Sequence, residues 1–464
     1  MTSSQILATS LGSVEFRRAY NLKYAYLAGS MYKGISSKEM VINMSKAGLM
    51  GYLGSGGMSL DRLVSDIQHI KQKLSPSETY GVNLLNSPDM PQLELQMVEI
   101  FLAYGVRYIE ASAYLQISLP LVFYRLKGAF RDSNGHPRIL NHVLAKVSHP
   151  EVAAVFMAPP PKEIVNKLVA MGLLTPGEAS ISDEVSVADS ICIEADSGGH
   201  TDQGVAYVLM PTMLRLREET QRQYQYRNPV HLGAAGGIGT PEAASAAFIL
   251  GADFIMTGSI NQCTVEAGTS EKVKEMLQGI NVQDTTYAPA GDMFEMGAKV
   301  QVLKKGLFFP ARANKLFDLY SRYNSIEDID EKTREQIQNR YFKRRFEDVW
   351  SETVSYYTTK GIKSIEELEI NSKRKMALIF KWYFVHASRL AAAGDENQIV
   401  DYQVHCGPAL GAFNQWAKGQ ATEFWQNRRV ADLAERIMTG AAAHLDRKFH
   451  AFISSSALVK DSHR

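Results

Sequence analysis

The fold is decided by the stretch VHLGAAGGIG, residues 230–239, and by the run FIMTGS, residues 254–259. Each is a short apolar segment that ends in glycine, which predicts a buried β-strand followed by a tight turn. Between them, Thr240 is suited to cap a helix, Pro241 to its first turn and Gly251 to its end. The two strands therefore belong to a strand–helix–strand unit, the building block of a parallel sheet.

Six earlier apolar runs alternate with longer amphipathic stretches in the same way. Eight strands joined by crossover helices favour a closed (β/α)8 barrel. A doubly wound open sheet is the alternative, but the early glycine fingerprint of that fold is absent, and GSGG at 54–57 is only a weak candidate. The predicted strands are 24–28, 49–53, 80–84, 106–111, 138–145, 189–195, 230–234 and 254–257.

The composition changes near residue 311. Before it lie 15 of the 16 prolines and 28 of the 34 glycines, whereas all 4 tryptophans follow it. Aromatic and aliphatic residues recur at helical spacing in 333–357 and 423–450. We therefore predict the α/β class, with a TIM barrel over residues 1–310 and a mainly helical substrate- or carrier-binding domain over residues 311–464.

Charge and composition exclude several classes of partner. Hydrophobic residues make up 45% of the 464 residues, charged residues make up 21%, and the formal net charge is +1. These globular values give no reason to expect nucleic acid or a membrane as partner. The three cysteines are far apart and lack the spacing of metal ligands, so we expect no metal and a reducing, cytoplasmic location. No signal peptide or membrane span is predicted.

The glycine turns after the last two predicted strands are candidates for phosphate binding. Gly236 and Gly237 follow one strand, and Thr257, Gly258 and Ser259 follow the other. Two neighbouring strands that end in glycine can aim several backbone N–H groups at one phosphate, because glycine has no Cβ. Strands seven and eight are also the usual phosphate site of a barrel. Glycines that serve only as tight turns are the alternative, and the paired arrangement favours phosphate.

A histidine follows the sixth predicted strand. His200 comes directly after Gly198 and Gly199, at the end of the barrel where such enzymes carry out their chemistry. Imidazole exchanges protons near neutral pH, so His200 is a candidate general acid or substrate-orienting group. A loop histidine hydrogen-bonded to Asp196 or Asp202 is the alternative interpretation.

Three polar residues lie at the ends of the third, fourth and fifth strands. Lys146 could stabilise negative charge on a reduced flavin, or could pair with Glu110. Asn83 carries both donor and acceptor groups that suit the edge of a flavin ring.

In this order, these motifs resemble the FMN-dependent enoyl reductase and nitronate monooxygenase superfamily. They are most similar to the trans-acting enoyl reductases of bacterial polyketide and polyunsaturated fatty acid synthases. Besides the two glycine loops, the resemblance is carried by AGSM at 28–31, GVN at 81–83, AKV at 145–147, ADSGGHTD at 195–202 and CGPALGAFN at 406–414.

The resemblance implies FMN as cofactor and NADPH as reductant. It implies reduction of the 2,3-double bond of an enoyl thioester on an acyl carrier protein, in polyketide synthase modules. Gly29 and Ser30 would pass beneath the isoalloxazine, Asn83 and Lys146 would meet its polar edge, and His200 would donate a proton. The implied catalytic residues are His200 and Lys146, and the implied cofactor-binding residues are Gly29, Ser30, Asn83, Lys146, Gly198, Gly199, Gly236, Gly237, Thr257, Gly258 and Ser259.

One departure from the family pattern bears on the reaction. The wider superfamily often has a glutamate before Gly-Gly-His, whereas this chain has Asp196-Ser197, which argues against a simple nitronate monooxygenase. The alternatives are a flavin oxidase of that type, a phosphate-binding barrel enzyme without FMN, and a catalytically silent scaffold that recruits carriers. Because carrier proteins are acidic, docking is expected at a basic surface. The candidates are Lys304, Lys305, Arg312, Arg340, Lys343, Arg344 and Arg345.

Overall fold

The computed structural model describes residues 5–87, 90–359 and 371–461. Its contacts divide the chain into two compact units. The barrel unit comprises Met1–Asp196, Gln203–Gly268 and Gln415–Arg464, and the second unit comprises Ser197–Asp202 and Thr269–Asn414. The predicted boundary at residues 310 and 311 differs from this division. The composition changes near residue 311, whereas the second unit already begins at Thr269 and the chain returns to the barrel unit at Gln415.

Eight parallel strands close into a barrel, in which each strand pairs with the next and the eighth pairs with the first. The predicted fold class is confirmed. The fifth strand was expected from residue 138 but begins at His142, because residues 137–138 instead pair with residues 130–131 in a separate ladder. The barrel strands are β1 (Tyr26–Ala28), β2 (Met50–Leu53), β3 (Gly81–Leu85), β4 (Tyr108–Ser112), β5 (His142–Val147), β6 (Ser190–Glu194), β7 (His231–Ala235) and β8 (Phe254–Thr257).

Side-chain caps explain where several barrel helices begin. Ser37, Ser59, Ser118 and Thr240 each accept a hydrogen bond from a backbone N–H of the first turn, which the helix itself leaves unpaired. The cap predicted at Thr240 is confirmed. The α-helices of this unit are Val14–Tyr20, Lys38–Lys46, Leu60–Lys73, Pro91–Ala103, Leu119–Leu126, Pro150–Met157, Lys162–Ala170, Pro176–Ala179, Ala206–Tyr224, Pro241–Ile249, Ser259–Gln262 and Val430–Asp461. Short 3-10 turns occupy Ala8–Ser10, Tyr32–Gly34, Ser182–Glu184, Ala421–Glu423 and Trp425–Asn427.

The helix Val14–Tyr20 covers the amino end of the barrel. The ring of Phe16 stacks on Phe254, the first residue of β8, with centroids 4.3 Å apart. The hydroxyl of Tyr20 hydrogen-bonds Ser190, the first residue of β6, at 2.9 Å. Because these contacts close the amino end, the carboxyl ends of the strands form the accessible face, where barrel enzymes place their sites.

The second unit has its own aromatic core. Phe294 packs edge-on against Phe317, Phe380 and Phe384, and all but Phe317 are fully or almost fully buried. The predicted helical character is present, although the helix expected over 333–357 is interrupted at Lys343, where φ is 53°. The α-helices are Glu271–Gln278, Phe309–Arg322, Glu331–Gln336, Phe346–Thr359, Ser372–Ala393 and Pro408–Ala417, which crosses into the barrel unit. A π-turn spans Ile337–Phe342, and 3-10 turns span Phe294–Met296 and Glu396–Asp401.

Sequence reasoning missed a small antiparallel sheet in the second unit. Strand β9 (Thr285–Pro289) pairs with β10 (Lys299–Leu303), whose other edge pairs with Gly199–His200. The sheet falls within the residues that were assigned to the barrel, and it holds the segment that carries His200. Among the residues that the structure describes, no helix is long and apolar enough to cross a membrane.

Candidate active site

Glycine backbone lines the carboxyl ends of β7 and β8. Gly236 and Gly237 have φ values of 89° and 72°, a conformation that favours glycine. A Cβ on Gly236 would lie 2.6 Å from the carbonyl oxygen of Ala195, whereas a Cβ on Gly237 or Gly258 would meet no described atom within 4 Å. In the described part of the chain, the N–H groups of these three glycines make no backbone hydrogen bond. Backbone donors beside open space fit a phosphate such as that of FMN.

The two residues that flank Gly258 differ in what they can contribute. The hydroxyl of Thr257 hydrogen-bonds the hydroxyl of Tyr26 at 2.5 Å and accepts from the Asn261 amide at 3.0 Å. Its side chain is therefore occupied in holding the turn. Ser259 begins the short helix Ser259–Gln262, and the first N–H groups of a helix have no partner within the helix. Ser259 thus stands at a helix start, where backbone N–H groups can meet an anion.

Lys146, at the end of β5, lies between two carboxylates. Its Nζ is 3.1 Å from Oε1 of Glu194 and 3.6 Å from Oε1 of Glu110. The lysine side chain is 18% exposed and that of Glu110 is fully buried. The pairing between Lys146 and Glu110 that sequence reasoning allowed is present, and Glu194, on β6, is a second partner that it missed.

The electrostatics of this cluster keep Lys146 charged. Burial acts to lower the pKa of Lys146, but the charges of Glu194 and Glu110 outweigh it and hold the pKa above its ordinary value. Burial raises the pKa of Glu110, against the opposing effects of Lys146 and the hydrogen bonds from Ser30. A fixed positive charge therefore lies at the same end of the barrel as Gly236, Gly237 and Gly258.

The polar groups of Gly29, Ser30 and Asn83 are largely used by the fold itself. The N–H of Gly29 donates to the carbonyl of Thr257 at 2.9 Å. Both the N–H and the hydroxyl of Ser30 donate to the Glu110 carboxylate at 2.9 Å. The Asn83 amide donates to the carbonyl of Glu110 and to the hydroxyl of Ser112. Asn83 therefore keeps only its carbonyl oxygen for a ligand, rather than the donor and acceptor expected.

His200 lies in the second unit, and it has a carboxylate partner that sequence reasoning did not consider. Its Nε2 is 2.9 Å from Oδ1 of Asp292, in the connection between β9 and β10. The side chains of His200 and Asp292 are 50% and 64% exposed. Partial burial opposes ionisation of Asp292, but the hydrogen bond and charge of His200 outweigh it and lower the pKa of Asp292. The pair is thus half-exposed, as exchange of a proton requires.

A second histidine, His405, belongs to the same cluster. Its Nε2 is 2.7 Å from Nε2 of Gln403, and its backbone bridges to Val302 of β10. Burial, helped by the charge of His200 and opposed by that of Asp292, lowers the pKa of His405 to about 4. His405 is therefore neutral at pH 7.

Gly198 and Gly199 bring the His200 segment close to backbone within the second unit. A Cβ on Gly198 would lie 2.7 Å from the Cα of Cys406 and from the N of Gly407, so a larger residue there would clash with backbone. Gly199 has a φ of 88°. The motif CGPALGAFN therefore begins with the residues against which the Gly-Gly-His segment packs.

The barrel strands and their terminal glycines lie within a region that matches a known family. Residues 18–292 match the family described as nitronate monooxygenase. The chain belongs to this family. Residues 323–402, within the second unit, match the family described as the inserted helical domain of [acyl-carrier-protein] S-malonyltransferase.

Two similar proteins are named for the biosynthesis of polyketides and of polyunsaturated fatty acids. The chain is 53% identical over 97% of its length to the polyketide biosynthesis protein PksE of Bacillus subtilis, and it covers 58% of PksE. It is 40% identical over 88% of its length to a polyunsaturated fatty acid synthase component of Thraustochytrium, and it covers 28% of that component. The chain thus spans little more than half, or less, of these relatives.

One solved structure is similar over almost the whole chain. It is the enoyl reductase domain of MlnA, from the macrolactin biosynthesis cluster of Bacillus amyloliquefaciens. The TM-score is 0.92 and the identity 44%, over 96% of this chain and 99% of that domain. The resemblance to synthase-associated enoyl reductases stated from the motifs is thereby confirmed.

Three charged or titratable residues of the two clusters were missed by sequence reasoning. Glu194 is the last residue of the sixth strand, so its position at a strand end was an available signal. Asp292 and His405 had no such signal, because the small antiparallel sheet that brings them to His200 was not predicted.

Proposed function

We propose that this chain is an FMN-dependent enoyl reductase, which uses NADPH to reduce the 2,3-double bond of an enoyl thioester on an acyl carrier protein. The observation that carries the proposal is the 44% identity to the MlnA enoyl reductase domain over 99% of that domain. The polyketide and polyunsaturated fatty acid synthase relatives support a substrate delivered by synthase modules.

Residues of the barrel unit fit the cofactor. When bound, FMN would supply hydride transfer from NADPH to the β-carbon of the enoyl group. Gly236, Gly237 and Gly258 would bind its phosphate through their N–H groups, with Ser259 beside them. Lys146 would hold a positive charge that favours negative charge on a nearby ring.

His200 would supply the proton that the α-carbon takes up. Its bond to Asp292, with Nε2 and Oδ1 2.9 Å apart, favours the protonated ring that a general acid requires. Gly198 and Gly199 would allow backbone to approach the bound groups closely, as the resemblance implies.

Anaerobic stopped-flow spectroscopy of the flavin tests the proposal. NADPH should bleach the flavin absorbance, and a crotonyl thioester should restore it. His200→Phe should retain FMN and slow the second step by about 10²–10⁴-fold, the usual contribution of a general acid. Near-normal turnover by this variant would remove His200 from the mechanism.

Other results would support the rival functions. Oxygen-dependent oxidation of a nitroalkane, without reaction of the thioester, would indicate a monooxygenase. A purified protein that binds no flavin would indicate a phosphate-binding barrel of another activity. Carrier binding without flavin turnover would indicate a scaffold.

Several of the basic residues considered for carrier docking form ion pairs within the chain. Arg312 is partly buried and paired with Asp401. Arg344 and Arg345 are paired with Glu352 and Asp348. Lys305 is 3.6 Å from Asp284. These pairs leave Lys304, Arg340 and Lys343 as the stronger candidates for contact with an acidic carrier.

Charge reversal tests this surface. Arg340→Glu should raise the KM for a carrier-bound substrate about tenfold and leave the KM for a small thioester unchanged, because only the carrier is acidic. Arg222→Glu, at an exposed position of a barrel helix, is the matched control. Equal effects of Arg340→Glu on the two substrates would exclude docking there.

A further inference from the structure

Two histidines of the second unit lie along one edge of β10. Val300 is the register partner of His200, and Val302 is the register partner of His405. Residues two apart on an antiparallel strand are roughly 7 Å apart, so the two histidine backbones are close neighbours. A Cβ on Gly199 would lie 3.7 Å from Nδ1 of His405. Because glycine has no Cβ, residue 199 leaves that nitrogen uncovered. The mechanism proposed above uses His200 and leaves His405 without a role.

A hydrogen-bond network assigns the tautomer of His405. The hydroxyl of Ser388 donates to Oε1 of Gln403 at 3.1 Å, which turns the amide nitrogen of Gln403 toward the ring. That nitrogen, 2.7 Å from Nε2 of His405, can only donate, so Nε2 is the acceptor. A neutral ring that accepts at Nε2 carries its proton on Nδ1. Gln403 is 9% exposed, so this network is shielded from water.

Nδ1–H is then a donor available to a ligand. In the described part of the chain, the hydrogen bond of the His405 side chain is the one to Gln403 at Nε2. The ring is partly buried. A neutral imidazole donor in such an environment can stabilise an oxyanion without giving up its proton.

We propose that His405 is a catalytic residue whose Nδ1–H donates a hydrogen bond to the thioester carbonyl oxygen of the substrate. The proposal rests on the proposed enoyl reduction and deepens it. Gln403 is then a positioning residue, because it acts only through the tautomer of His405.

The proposed reaction takes an enoyl thioester as substrate and NADPH as reductant. A hydride adds to the β-carbon, the electron pair of the C=C bond moves toward the carbonyl, and an enolate oxygen carries the charge. The Nδ1–H of His405 stabilises that oxygen. His200 then transfers its proton to the α-carbon, the carbonyl re-forms, and His405 keeps its proton.

The two histidines differ in the way that this division of roles requires. His200 is 50% exposed and bonded to a carboxylate, so it can hold and exchange a proton. Burial lowers the pKa of His405 to about 4, and its ring is bonded to a neutral amide. A ring that stays neutral serves as a hydrogen-bond donor rather than as an acid.

Three substitutions in the full chain test the role. The amide nitrogen of asparagine reproduces a donor near the Nδ1 position, whereas glutamine reproduces the Nε2 position. Gln403→Leu removes the amide that donates to Nε2, so the ring proton is no longer held on Nδ1. In anaerobic stopped-flow, His405→Gln should slow reoxidation of the flavin by a crotonyl thioester about 10²–10³-fold, the effect of losing one oxyanion donor. His405→Asn should stay within about tenfold of the native rate.

A second readout distinguishes catalysis from structure. Reoxidation by a quinone, which has no thioester, should be unaffected in all three variants. ¹⁵N spectra should show His405 as the Nδ1–H tautomer in the native protein and as a mixture with the Nε2–H tautomer in Gln403→Leu. Native rates with the thioester in His405→Gln, equal losses with the quinone, or an Nε2–H tautomer in the native protein would each overturn the role alone. If the native protein itself does not react with the thioester, the proposed function fails and this role falls with it.

Discussion

The barrel cluster of Glu110, Lys146 and Glu194 and the histidine cluster of His200, Asp292 and His405 handle charge in opposite ways. In the barrel cluster a lysine with a raised pKa lies between two carboxylates, one of them fully buried. In the histidine cluster one ring is half-exposed beside a carboxylate and the other is held neutral. A buried ion cluster keeps its charge as pH changes, whereas imidazoles gain or lose a proton near neutrality.

The two clusters differ in whether their protonation can change near neutral pH. The barrel unit holds open backbone donors and a fixed positive charge. In the second unit, His200 is half-exposed beside a carboxylate and can exchange a proton, whereas His405 stays neutral. Substitutions in the barrel cluster should therefore act on stability and cofactor binding, and those in the histidine cluster on proton transfer and pH dependence.

The largest expected effect on stability is that of Lys146→Met. The change leaves Glu110, which is fully buried, without its charge partner, and an uncompensated buried charge costs about 3–5 kcal/mol. Burial raises the pKa of Glu110, so the folded chain keeps that proton at pH values where the unfolded chain has released it. The stability of the variant should therefore fall as pH rises above about 4.5.

Denaturant unfolding at several pH values measures this effect. The matched control is the double variant Lys146→Met, Glu110→Gln, which should recover most of the loss because an amide needs no counter-charge. A loss below about 1 kcal/mol in the single variant would show that Glu110 is already neutral in the native protein.

The next effect concerns the glycines that we propose to bind the phosphate. Gly258→Ala places a Cβ in open space with no described atom within 4 Å, so the cost to FMN binding should exceed the cost to the fold. We expect the Kd for FMN, measured by fluorescence titration, to rise about 100-fold, or about 3 kcal/mol. Gly177→Ala, whose Cβ would be 3.9 Å from the nearest atom, is the control. Unchanged FMN affinity would place the phosphate elsewhere.

A smaller effect should appear in the pH dependence of unfolding. The pKa of His405 is lowered to about 4 in the folded chain, against about 6.5 when unfolded. Between these values the unfolded chain binds more protons, so stability is fully present above pH 6.5 and is lost as pH falls toward 4. His405→Asn should reduce this change by about 2 kcal/mol. Parallel native and variant profiles would mean that the ring is not held neutral.

The smallest effects on stability are expected for Glu194→Gln and, below it, for Asp292→Asn. The Glu194 side chain is 25% exposed, and in the variant Lys146 still has Glu110 as a partner at 3.6 Å. The free energy of unfolding should therefore fall by about 1 kcal/mol or less. Asp292→Asn in the other cluster, where the side chain is 64% exposed, should change stability by less than about 0.5 kcal/mol. If Glu194→Gln matched Lys146→Met, Glu194 rather than Glu110 would be the main partner.

Much of the barrel could be predicted because its signals are local. Each strand is a short apolar run, and a strand that ends in glycine marks a turn within the same few residues. The cap at Thr240, the glycine turns at Gly236 and Gly258, and the position of Lys146 at a strand end all follow from such signals. Their structures agree with the predictions for that reason.

The units were predicted less well, since a boundary depends on which segments pack together. The C-terminal helix Val430–Asp461 contacts the barrel helices Pro241–Ile249 and Lys38–Lys46, far away in sequence. Arg428, just before it, is fully buried and donates to the sulfur of Cys263 at 3.1 Å. No charged partner for that cysteine was expected from the sequence.

By itself, the sequence determined a (β/α)8 barrel, the glycine turns after its last two strands and a histidine after the sixth strand, because each depends on residues that are neighbours along the chain. Only the tertiary structure decided that Lys146 has two carboxylate partners and that Ser30 and Asn83 donate hydrogen bonds to Glu110. It also decided that His405 lies on the same edge of β10 as His200. The physical reason is that hydrogen-bond and charge partners are set by strand register and packing, which bring together residues far apart in sequence.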